Sequence, residues 1–330
     1  MPTKILVVGG AGYIGSHMVA CLVRQGYIPI VLDDLSTGHR ESVSEAKLVI
    51  GNIGDSQLLD SLFAQHDFSA VMHFASFIQV GESVLDPAKY YQNNLANTLS
   101  LLNAMLKWKV KHFIFSSTAA VYGEPKYSPI DEKHPVAPIN PYGQSKRMVE
   151  QVLEDYARAY DFNFMALRYF NAAGADPSGK LGEWHEPETH LIPLALQVAS
   201  GKRDSITIYG EDYATPDGTC IRDYVHVNDL CDAHLLALQA LWEGKKSNIY
   251  NLGTGTGFSV RHVIDVVSQV TQQTIKVVAG ERRAGDPAIL VPDATCVKQD
   301  LHWQPLYSNL DTIILHAWNS MKIKNNSCLV

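Results

Sequence analysis

The sequence predicts an α/β fold built on a doubly wound parallel sheet, followed by a smaller α/β substrate domain. Short apolar runs that end in glycine or acidic residues are typical of buried parallel strands, and they alternate with segments of helical spacing. This alternation predicts right-handed βαβ units. After about Phe170 the elements become shorter, and segments 176–188 and 210–220 are rich in loop-forming residues.

The predicted elements follow in chain order. The first strand covers residues 4–8, its helix runs from about Ile14 to Gly26, and the second strand covers 28–32. We expect further strands at 48–50, 70–74, 112–115 and 164–167, and helices at 89–107, 143–160, 190–200, 227–242, 259–271 and 309–322. We therefore expect a nucleotide domain over 1–170 and a substrate domain over 171–330, with 226–255, including a strand at 248–252, returning to the first domain.

Composition restricts the class of protein. A hydrophobic fraction of 46% with 18% charged residues is typical of a globular protein, and a net charge of −7 argues against a nucleic-acid partner. No apolar stretch approaches the roughly 20 residues of a membrane span, so no membrane partner is expected. The five cysteines contain no Cys-x-x-Cys pair and the histidines no His-x-x-x-His pair, so we expect free thiols, a cytoplasmic location and no metal.

Three glycines lie between the first strand and its helix, at Gly9, Gly12 and Gly15. Such glycines permit a tight turn, let a pyrophosphate approach the backbone and let the helix pack on the strand. The helix N-terminus then presents N–H groups and a positive dipole end to the phosphates. The turn predicts a dinucleotide site on a Rossmann sheet.

Asp33 ends the second predicted strand, about 20 residues beyond the glycines, where a carboxylate can hold the 2′-hydroxyl of an adenosine ribose. Its negative charge would repel a 2′-phosphate. The next residues contain no arginine before Arg40. We therefore expect the cofactor to be NAD and not NADP.

Tyr-x-x-x-Lys occurs twice, as Tyr122 with Lys126 and as Tyr142 with Lys146. The first pair lies in a stretch broken by glycine and proline, whereas the second follows Pro141 at the start of a helical segment. Residues four apart on a helix share a face, so an ammonium can stabilise the tyrosine as a phenolate. We expect Tyr142 to act as a general base beside Lys146 in hydride-transfer chemistry.

A hydroxyl group is expected at the end of the strand 112–115, where the sequence continues Ser116-Ser117-Thr118. The carboxyl ends of parallel strands face the ligand crevice. A hydroxyl there would bind the reacting oxygen and relay its proton. A serine/threonine turn that only closes the strand is the structural alternative.

Longer motifs extend these two sites along the chain. They are Gly-Gly-Ala-Gly-Tyr-Ile-Gly at 9–15, Val-Gly-Glu-Ser-Val at 80–84, Tyr-Gly-Gln-Ser-Lys at 142–146, Arg-Tyr-Phe-Asn-Ala-Ala-Gly at 168–174, Ile-Arg-Asp-Tyr-Val-His at 221–226 and Arg-Arg-Ala-Gly-Asp at 282–286. With them the chain resembles the extended short-chain dehydrogenase/reductase family over about residues 3–320, and within it the 4-epimerases of UDP-hexoses. The resemblance implies an NAD-dependent isomerase that interconverts UDP-galactose and UDP-glucose through a 4-keto sugar.

The resemblance also implies roles for individual residues. Tyr142, Lys146 and Thr118 would be catalytic. The cofactor would contact Gly9, Gly12, Tyr13, Ile14, Gly15, Asp33, Asp34, Asn52, Ile53, Phe74, Ala75, Asn93, Ser116, Tyr142, Lys146 and Phe170. The UDP-sugar would contact Thr118, Tyr142, Asn171, His190, Leu191, Thr207, Tyr209, Arg222, Arg283, Asp286 and Leu290. A homodimer is implied as well, because the helices at 89–107 and 143–160 carry apolar residues on more than one face, as in family dimers.

The chain departs from the family pattern at a few positions. Ile78 stands where some members have a lysine beside the cofactor, Asn52 replaces a frequent aspartate, and His190 replaces a frequent asparagine. Leu290 stands where a tyrosine would block a sugar N-acetyl group. A 4-epimerase of UDP-N-acetylhexosamines, or of UDP-pentoses or uronates, therefore stays open.

Two other functions are weighed. A nucleotide-sugar 4,6-dehydratase needs an acid/base pair directly after Thr118, where this chain has Ala119 and Ala120. A non-catalytic NAD-sensing regulator would be expected to lack the Tyr142–Lys146 pair. Both alternatives are therefore less favoured than an epimerase.

Overall fold

A parallel sheet of seven strands dominates the computed structural model, which describes residues 3–283 and 285–327. In chain order the strands of the described residues are β1 (Lys4–Val8), β2 (Ile28–Asp33), β3 (Lys47–Ile50), β4 (Phe68–His73), β5 (His112–Thr118), β6 (Asn163–Tyr169), β7 (Asn171–Ala173), β8 (Ile206–Tyr209), β9 (Ile221–His226), β10 (Asn248–Leu252), β11 (Gly257–Ser259), β12 (Val277–Gly280) and β13 (Ile289–Leu290).

The helices follow the same order. They are α1 (Tyr13–Arg24), α2 (Ser56–Gln65), α3 (Val80–Leu85), α4 (Pro87–Tyr90), α5 (Asn97–Lys107), α6 (Pro141–Ala159), α7 (Leu191–Ala199), α8 (Val227–Trp242), α9 (Val260–Thr271), α10 (Thr295–Leu301) and α11 (Leu310–Ser327). Short 3₁₀ turns cover Arg40–Val43 and Ala119–Tyr122, and a π-helical stretch covers Tyr91–Ala96. No helix in the described residues combines the length and apolar character needed to cross a membrane.

The large sheet confirms the predicted fold class. Its strand order is β10-β6-β5-β4-β1-β2-β3, and every neighbouring pair is parallel. The order reverses between β1, which pairs with β2 on one side, and β4, which pairs with β1 on the other. A crevice opens at such a reversal, outside the carboxyl ends of the strands. The glycine turn after β1 stands at this crevice.

Helices cover both faces of the large sheet, because each strand is apolar on both sides. On one face, Met18 of α1 and Leu238 of α8 share a buried cluster with Val7 of β1. On the other face, Leu101 of α5 and Val149 of α6 pack against Leu6 of β1. The successive residues Leu6 and Val7 thus point to opposite faces, as the two-residue period of a strand requires.

A third apolar cluster holds the smaller part of the chain together. Leu196 of α7, Val263 of α9 and Ile313 of α11 are its buried members, beside Ile206 of β8. The small strand β9 pairs with β7, β11 and β13, and β8 pairs with β12. β10 lies in the large sheet beside β6, although it comes from the second half of the chain. The division of the chain at residue 170 stays a prediction. The last residues of the predicted second domain, 328–330, lie outside the described residues.

Two predicted helices have different boundaries in the structure. The segment predicted as a helix over 89–107 is divided into α4, the π-helical stretch and α5. The helix predicted to begin at residue 143 begins at Pro141, and the side chain of Asn140 caps it by accepting a hydrogen bond from the Gly143 backbone N–H at 2.8 Å. This earlier start places Tyr142 in the first turn of α6.

A buried ion pair joins α6 to the sheet. Arg168 of β6 donates from Nη2 and Nε to the two carboxylate oxygens of Glu150, at 2.7 and 2.8 Å. Glu150 is fully buried, and it also accepts a hydrogen bond from Ser117 Oγ at 2.7 Å. Such a pair is satisfied only as a unit, because either partner alone would leave an uncompensated charge in the core.

Replacing Glu150 by alanine should therefore lower the free energy of unfolding by about 3–5 kcal/mol. Its matched control is Glu154→Ala, one turn further along α6, where the Glu154 side chain is 39% exposed and pairs with Arg147. That exposed pair should contribute less than about 1 kcal/mol. Urea unfolding of the NAD-loaded protein measures both values, and equal losses in the two variants would contradict the buried-pair argument.

Candidate active site

The glycine turn brings three segments of backbone into close contact. Gly9 has a φ of +73°, and a Cβ built on it would lie 2.4 Å from the backbone nitrogen of Ala75. A Cβ on Gly15 would lie 2.1 Å from the carbonyl oxygen of Gly9. A side chain at either position would push α1 away from β1 or from the segment after β4. The two glycines therefore set the position of the N-terminus of α1.

No side chain caps the N-terminus of α1. Its N-cap residue is Gly12, which leaves the first-turn N–H groups without a side-chain acceptor. Such groups, with the positive end of the helix dipole, are suited to a pyrophosphate. The turn therefore fits the phosphates of a dinucleotide.

Asp33 holds the turn from the end of β2. One carboxylate oxygen accepts from the Ala11 N–H and the other from the Leu35 N–H, each at 2.8 Å. Burial raises the pKa of Asp33, and these two backbone hydrogen bonds act in the opposite direction. A carboxylate has about four acceptor positions, so lone pairs remain for ribose hydroxyls. Asp34 accepts from Asn52 Nδ2 at 2.8 Å, which places Asn52 at the rim.

A cleft of about 530 Å³ opens beside this turn. Nine of the residues predicted to contact the cofactor line it, and they come from the ends of four neighbouring strands and from the π-helical stretch: Gly9, Gly12, Asp33, Asp34, Asn52, Ile53, Phe74, Ala75 and Asn93. Tyr13, Ile14 and Gly15 form the first turn of α1, next to the cleft. The parallel sheet thus brings together residues that are up to 84 positions apart in the sequence.

Tyr142 and Thr118 meet beyond this cleft. Thr118 is the last residue of β5, and it hydrogen-bonds the Tyr142 side chain. Burial raises the pKa of Tyr142, and the hydrogen bond from Thr118 lowers it. Thr118 Oγ1 also accepts from the Ala120 N–H at 3.1 Å, so the side chain closes the turn after β5 and contacts the tyrosine at the same time.

Lys146 lies one turn further along α6 and is only 2% exposed. Its ammonium donates to Ser76 Oγ at 2.6 Å and to the Ser116 carbonyl at 2.7 Å. Burial lowers the pKa of Lys146 to about 7, and the carboxylate of Glu150 acts in the opposite direction. The ammonium is thereby held at the ends of β4 and β5, between the cofactor cleft and Tyr142.

The second Tyr-x-x-x-Lys match has a structural role. Tyr122 is buried, its hydroxyl donates to Asn251 Oδ1 at 2.6 Å, and it accepts from Arg168 Nη1 at 2.9 Å. The Lys126 backbone N–H donates to His134 Nε2 at 2.9 Å. Tyr122 therefore belongs to the buried hydrogen-bond network of Arg168 and Glu150. Its position in a stretch broken by glycine and proline also argues against a catalytic role.

Several predicted substrate residues gather around β9. Arg222 donates from Nη1 to the carbonyl of Pro287 at 2.8 Å, and its Nη2 lies 3.7 Å from Asp286 Oδ1. Leu290 of β13 pairs in register with Arg222. Asn171 of β7 donates to the Asp223 carbonyl at 2.7 Å. Strand pairing therefore aligns these side chains along one small sheet.

The remaining predicted substrate residues lie on separate elements. The Arg283 guanidinium stacks 3.9 Å from the ring centre of Tyr209. Both Tyr209 and Thr207 belong to β8, where Thr207 lies two residues before Tyr209. Leu191 begins α7, directly after His190. Burial disfavours the charged form of His190, but the carboxylates of Glu183 and Glu188 raise its pKa to about 10. Phe170 packs in a small cluster with Leu290 and Val121.

Sequence reasoning missed residues that support the site. Ser76 accepts a hydrogen bond from Lys146. It could have been found from its position directly after Phe74 and Ala75, two predicted cofactor contacts that follow β4. Glu150 lies four residues after Lys146, a spacing that predicts a contact on one helix face. No sequence pattern points to Glu183 and Glu188, because they lie in a loop without periodicity. Their partner His190 is predicted only from the family resemblance, as a substrate contact.

The sequence is similar to those of known proteins. The sequence profile of the NAD dependent epimerase/dehydratase family matches residues 5–253. The UDP-glucose 4-epimerase of Halalkalibacterium halodurans is 50% identical over 315 residues, which cover 96% of this chain and 94% of the relative.

Solved structures agree as well. The structure of UDP-glucose 4-epimerase from Brucella ovis in complex with NAD matches with a TM-score of 0.94 at 49% identity and covers 96% of this chain and 97% of that one. The UDP-Glc/GlcNAc 4-epimerase of Campylobacter jejuni matches with a TM-score of 0.85 at 44% identity and covers 97% and 99%. The chain therefore belongs to the NAD dependent epimerase/dehydratase family, as a relative of its UDP-glucose 4-epimerases.

Proposed function

We propose that this enzyme interconverts UDP-galactose and UDP-glucose by inverting C4 of the sugar. The observation that carries the proposal is that Thr118 contacts the Tyr142 side chain, while Lys146, one turn further along α6, donates to Ser76 in the lining of the cofactor cleft. The named relatives are UDP-glucose 4-epimerases, which supports the same reaction. Solved structures of other UDP-glucose 4-epimerases that resemble this chain include one with NAD and UDP and one with UDP-glucose.

Tyr142 is assigned the role of general base. Tyr142 would take the proton of the sugar 4-hydroxyl as a hydride leaves C4, which gives a 4-keto sugar, and would return that proton as the hydride comes back to the opposite face, which gives the epimer. Bound NAD would supply the acceptor, and then the donor, of that hydride. Thr118 contacts the Tyr142 side chain and is placed to orient the same hydroxyl.

Lys146 is assigned an electrostatic role. An ammonium at Lys146 and a phenolate at Tyr142 stabilise each other, which opposes the burial that raises the pKa of the tyrosine. Ser76 and the Ser116 carbonyl hold the ammonium, so it needs no reorganisation during the reaction.

The nucleotide part of the substrate is assigned to the small sheet around β9 and to strand β8. Arginine guanidinium groups match the geometry of a diphosphate, and we assign this role to Arg222 of β9 and to Arg283, which stacks on Tyr209 of β8. Asp286 would accept a ribose hydroxyl, and Asn171 would contact a phosphate. The uracil would lie near Thr207 and Tyr209, which together offer a hydroxyl and an aromatic face.

The turn after β5 argues against a dehydratase. Ala119 and Ala120 follow Thr118 in the 3₁₀ turn, and Ala119 is buried. Neither methyl group can donate or accept the proton that expulsion of water requires. The site therefore favours redox inversion at one carbon.

Replacing Lys146 by methionine should move the acid limb of the pH–kcat profile to higher pH. Turnover needs the phenolate, so the rate falls as the pH drops below the pKa of Tyr142. Loss of the ammonium raises that pKa, and the limb should shift upward by about one pH unit or more. Steady-state assays across the pH range measure the shift.

Tyr142→Phe is the control for this measurement. Its kcat should be lower than that of the wild type by about 10²–10⁴-fold at every pH, because the base is missing. The protein should keep its NAD, because the cofactor cleft is intact. An unshifted acid limb in Lys146→Met, or full activity in Tyr142→Phe, would contradict the proposed roles.

UDP-N-acetylhexosamines are a second class of substrate, supported by Leu290. This half-buried side chain stands at the position that limits the sugar N2 side in the resembling enzymes. The Campylobacter jejuni relative is named as a UDP-Glc/GlcNAc 4-epimerase. We therefore propose that UDP-GlcNAc and UDP-GalNAc are also accepted.

Leu290→Tyr should remove turnover of UDP-GlcNAc by about 100-fold or more and keep that of UDP-galactose, because the larger ring fills the space needed by the acetyl group. The matched control is Ile289→Tyr, whose side chain lies on the other face of β13. A panel of the four UDP-hexoses without added NAD measures both. Wild-type protein that turns over UDP-galactose but neither N-acetyl sugar would disprove the wider specificity.

We also propose a cytoplasmic homodimer. The described cysteines are free thiols, in keeping with a reducing compartment. α5 and α6 are joined by Tyr156 Oη, which donates to Asn103 at 3.0 Å, and Leu99 of α5 is only partly buried. Two such helix pairs would form a four-helix interface. Light scattering at micromolar concentration should give the mass of two chains, and the mass of one chain would contradict the proposal.

A further inference from the structure

Four side chains with metal-ligating groups meet in the loop between β7 and α7. They are the carboxylates of Glu183 and Glu188 and the imidazoles of His185 and His190, and one ligand atom from each lies within 4.8 Å of the other three. Each carboxylate side chain is only 6% exposed. Acidic side chains are seldom so buried unless a cation accompanies them.

The distances between these atoms match the edges of a small coordination tetrahedron. His190 Nδ1 lies 2.8 Å from Glu183 Oε1 and 3.0 Å from Glu188 Oε1. His185 Nδ1 lies 3.3 Å from Glu183 Oε1 and 3.8 Å from Glu188 Oε2. A tetrahedral ion with bonds of about 2.1 Å separates its ligands by about 3.4 Å, and these four distances lie within about 0.6 Å of that value.

One of the four ligand atoms has no hydrogen-bond partner. His185 Nδ1 is buried from solvent, and among the described residues no group makes a hydrogen bond of acceptable geometry with it. The carboxylate oxygens Glu183 Oε1 and Glu188 Oε2 lie 3.3 and 3.8 Å from this nitrogen. A buried imidazole nitrogen of this kind needs a ligand to compensate its lost hydration.

We propose that Glu183, His185, Glu188 and His190 bind a transition-metal dication of the zinc type. Two imidazoles favour such an ion over Mg²⁺ or Ca²⁺, which prefer oxygen ligands throughout. Two carboxylates neutralise its charge, so the complete site carries none. Without the ion, protonated histidines provide the countercharge in an ion-pair cluster of the same four side chains.

The position of the cluster gives such an ion a structural role. The His185 ring contacts Tyr13 edge-on, with 6.2 Å between ring centres, and Tyr13 begins the helix that carries the glycine turn. His190 is the N-cap residue of α7. A metal here would therefore join the cofactor side of the molecule to the substrate side through one loop. Glu183, His185 and Glu188 also line an open cleft between α7 and α11, which provides an entry route.

Metal analysis of the full-length protein with its NAD tests the proposal. Protein incubated with Zn²⁺ and freed of excess by gel filtration should retain about one zinc ion per chain. His185→Phe keeps the ring and its aromatic contacts but removes the nitrogen, so it should lose most of the zinc. Glu186→Gln, an exposed position within the same loop, is the matched control and should retain zinc like the wild type.

Two further measurements use the wild type alone, so they do not depend on the folding of a variant. Zn²⁺ should raise the Tm by a few degrees, and Co²⁺ should give the visible d–d absorption of a four-coordinate site. Zinc below stoichiometric amounts in the wild type, or equal zinc in His185→Phe, would show an ion-pair cluster only and overturn the proposal. These measurements do not involve turnover, so they are independent of the proposed reaction.

Discussion

At the turn after β1, the backbone of Gly9 lies against the backbone of Ala75, and the first turn of α1 lies against the carbonyl of Gly9. Neither Gly9 nor Gly15 has space for a Cβ. This contact sets the angle at which α1 leaves the sheet and therefore the direction of its N–H groups. Asp33 stabilises the same arrangement by accepting two backbone hydrogen bonds across it. The cofactor cleft depends on these contacts, since its walls are the ends of the strands that they hold together.

Helix α6 connects this cleft to the reaction chemistry. Its first turn carries Tyr142, its second turn carries Lys146, and its third carries Glu150, all directed toward the sheet. Glu150 pairs with Arg168 in the core, and its charge also favours the ammonium of the buried Lys146. The carboxylate that attaches the helix to β6 thus also favours the charged form of Lys146, the lysine proposed to act in catalysis. One chain of buried charges therefore joins the sheet to the proposed catalytic residues.

In the second half of the chain, the residues proposed to bind the nucleotide are held in place by different interactions. β7, β9 and β13 form a small sheet that aligns Asn171, Arg222 and Leu290, whereas the loop before α7 is held by the cluster of Glu183, His185, Glu188 and His190. The small sheet is held by backbone hydrogen bonds between strands, whereas the four-residue cluster is held by interactions between charged side chains. The four-residue cluster lies beside the cofactor side of the molecule, because the ring of His185 contacts that of Tyr13 at the start of α1.

The fold class, the glycine turn, the position of Asp33 and the preference for Tyr142 over Tyr122 could be predicted from the sequence, because strand and helix periods, glycine spacing and helix start signals are local properties. The contacts of Ser76, Glu150 and the cluster of Glu183, His185, Glu188 and His190 could not, because their partners come from distant segments or from loops without periodicity. The tertiary structure also showed that α6 begins two residues before the predicted boundary at 143, at Pro141, with Asn140 as its cap. Contacts between buried charges depend on which strands become neighbours, and strand order is a property of the whole sheet.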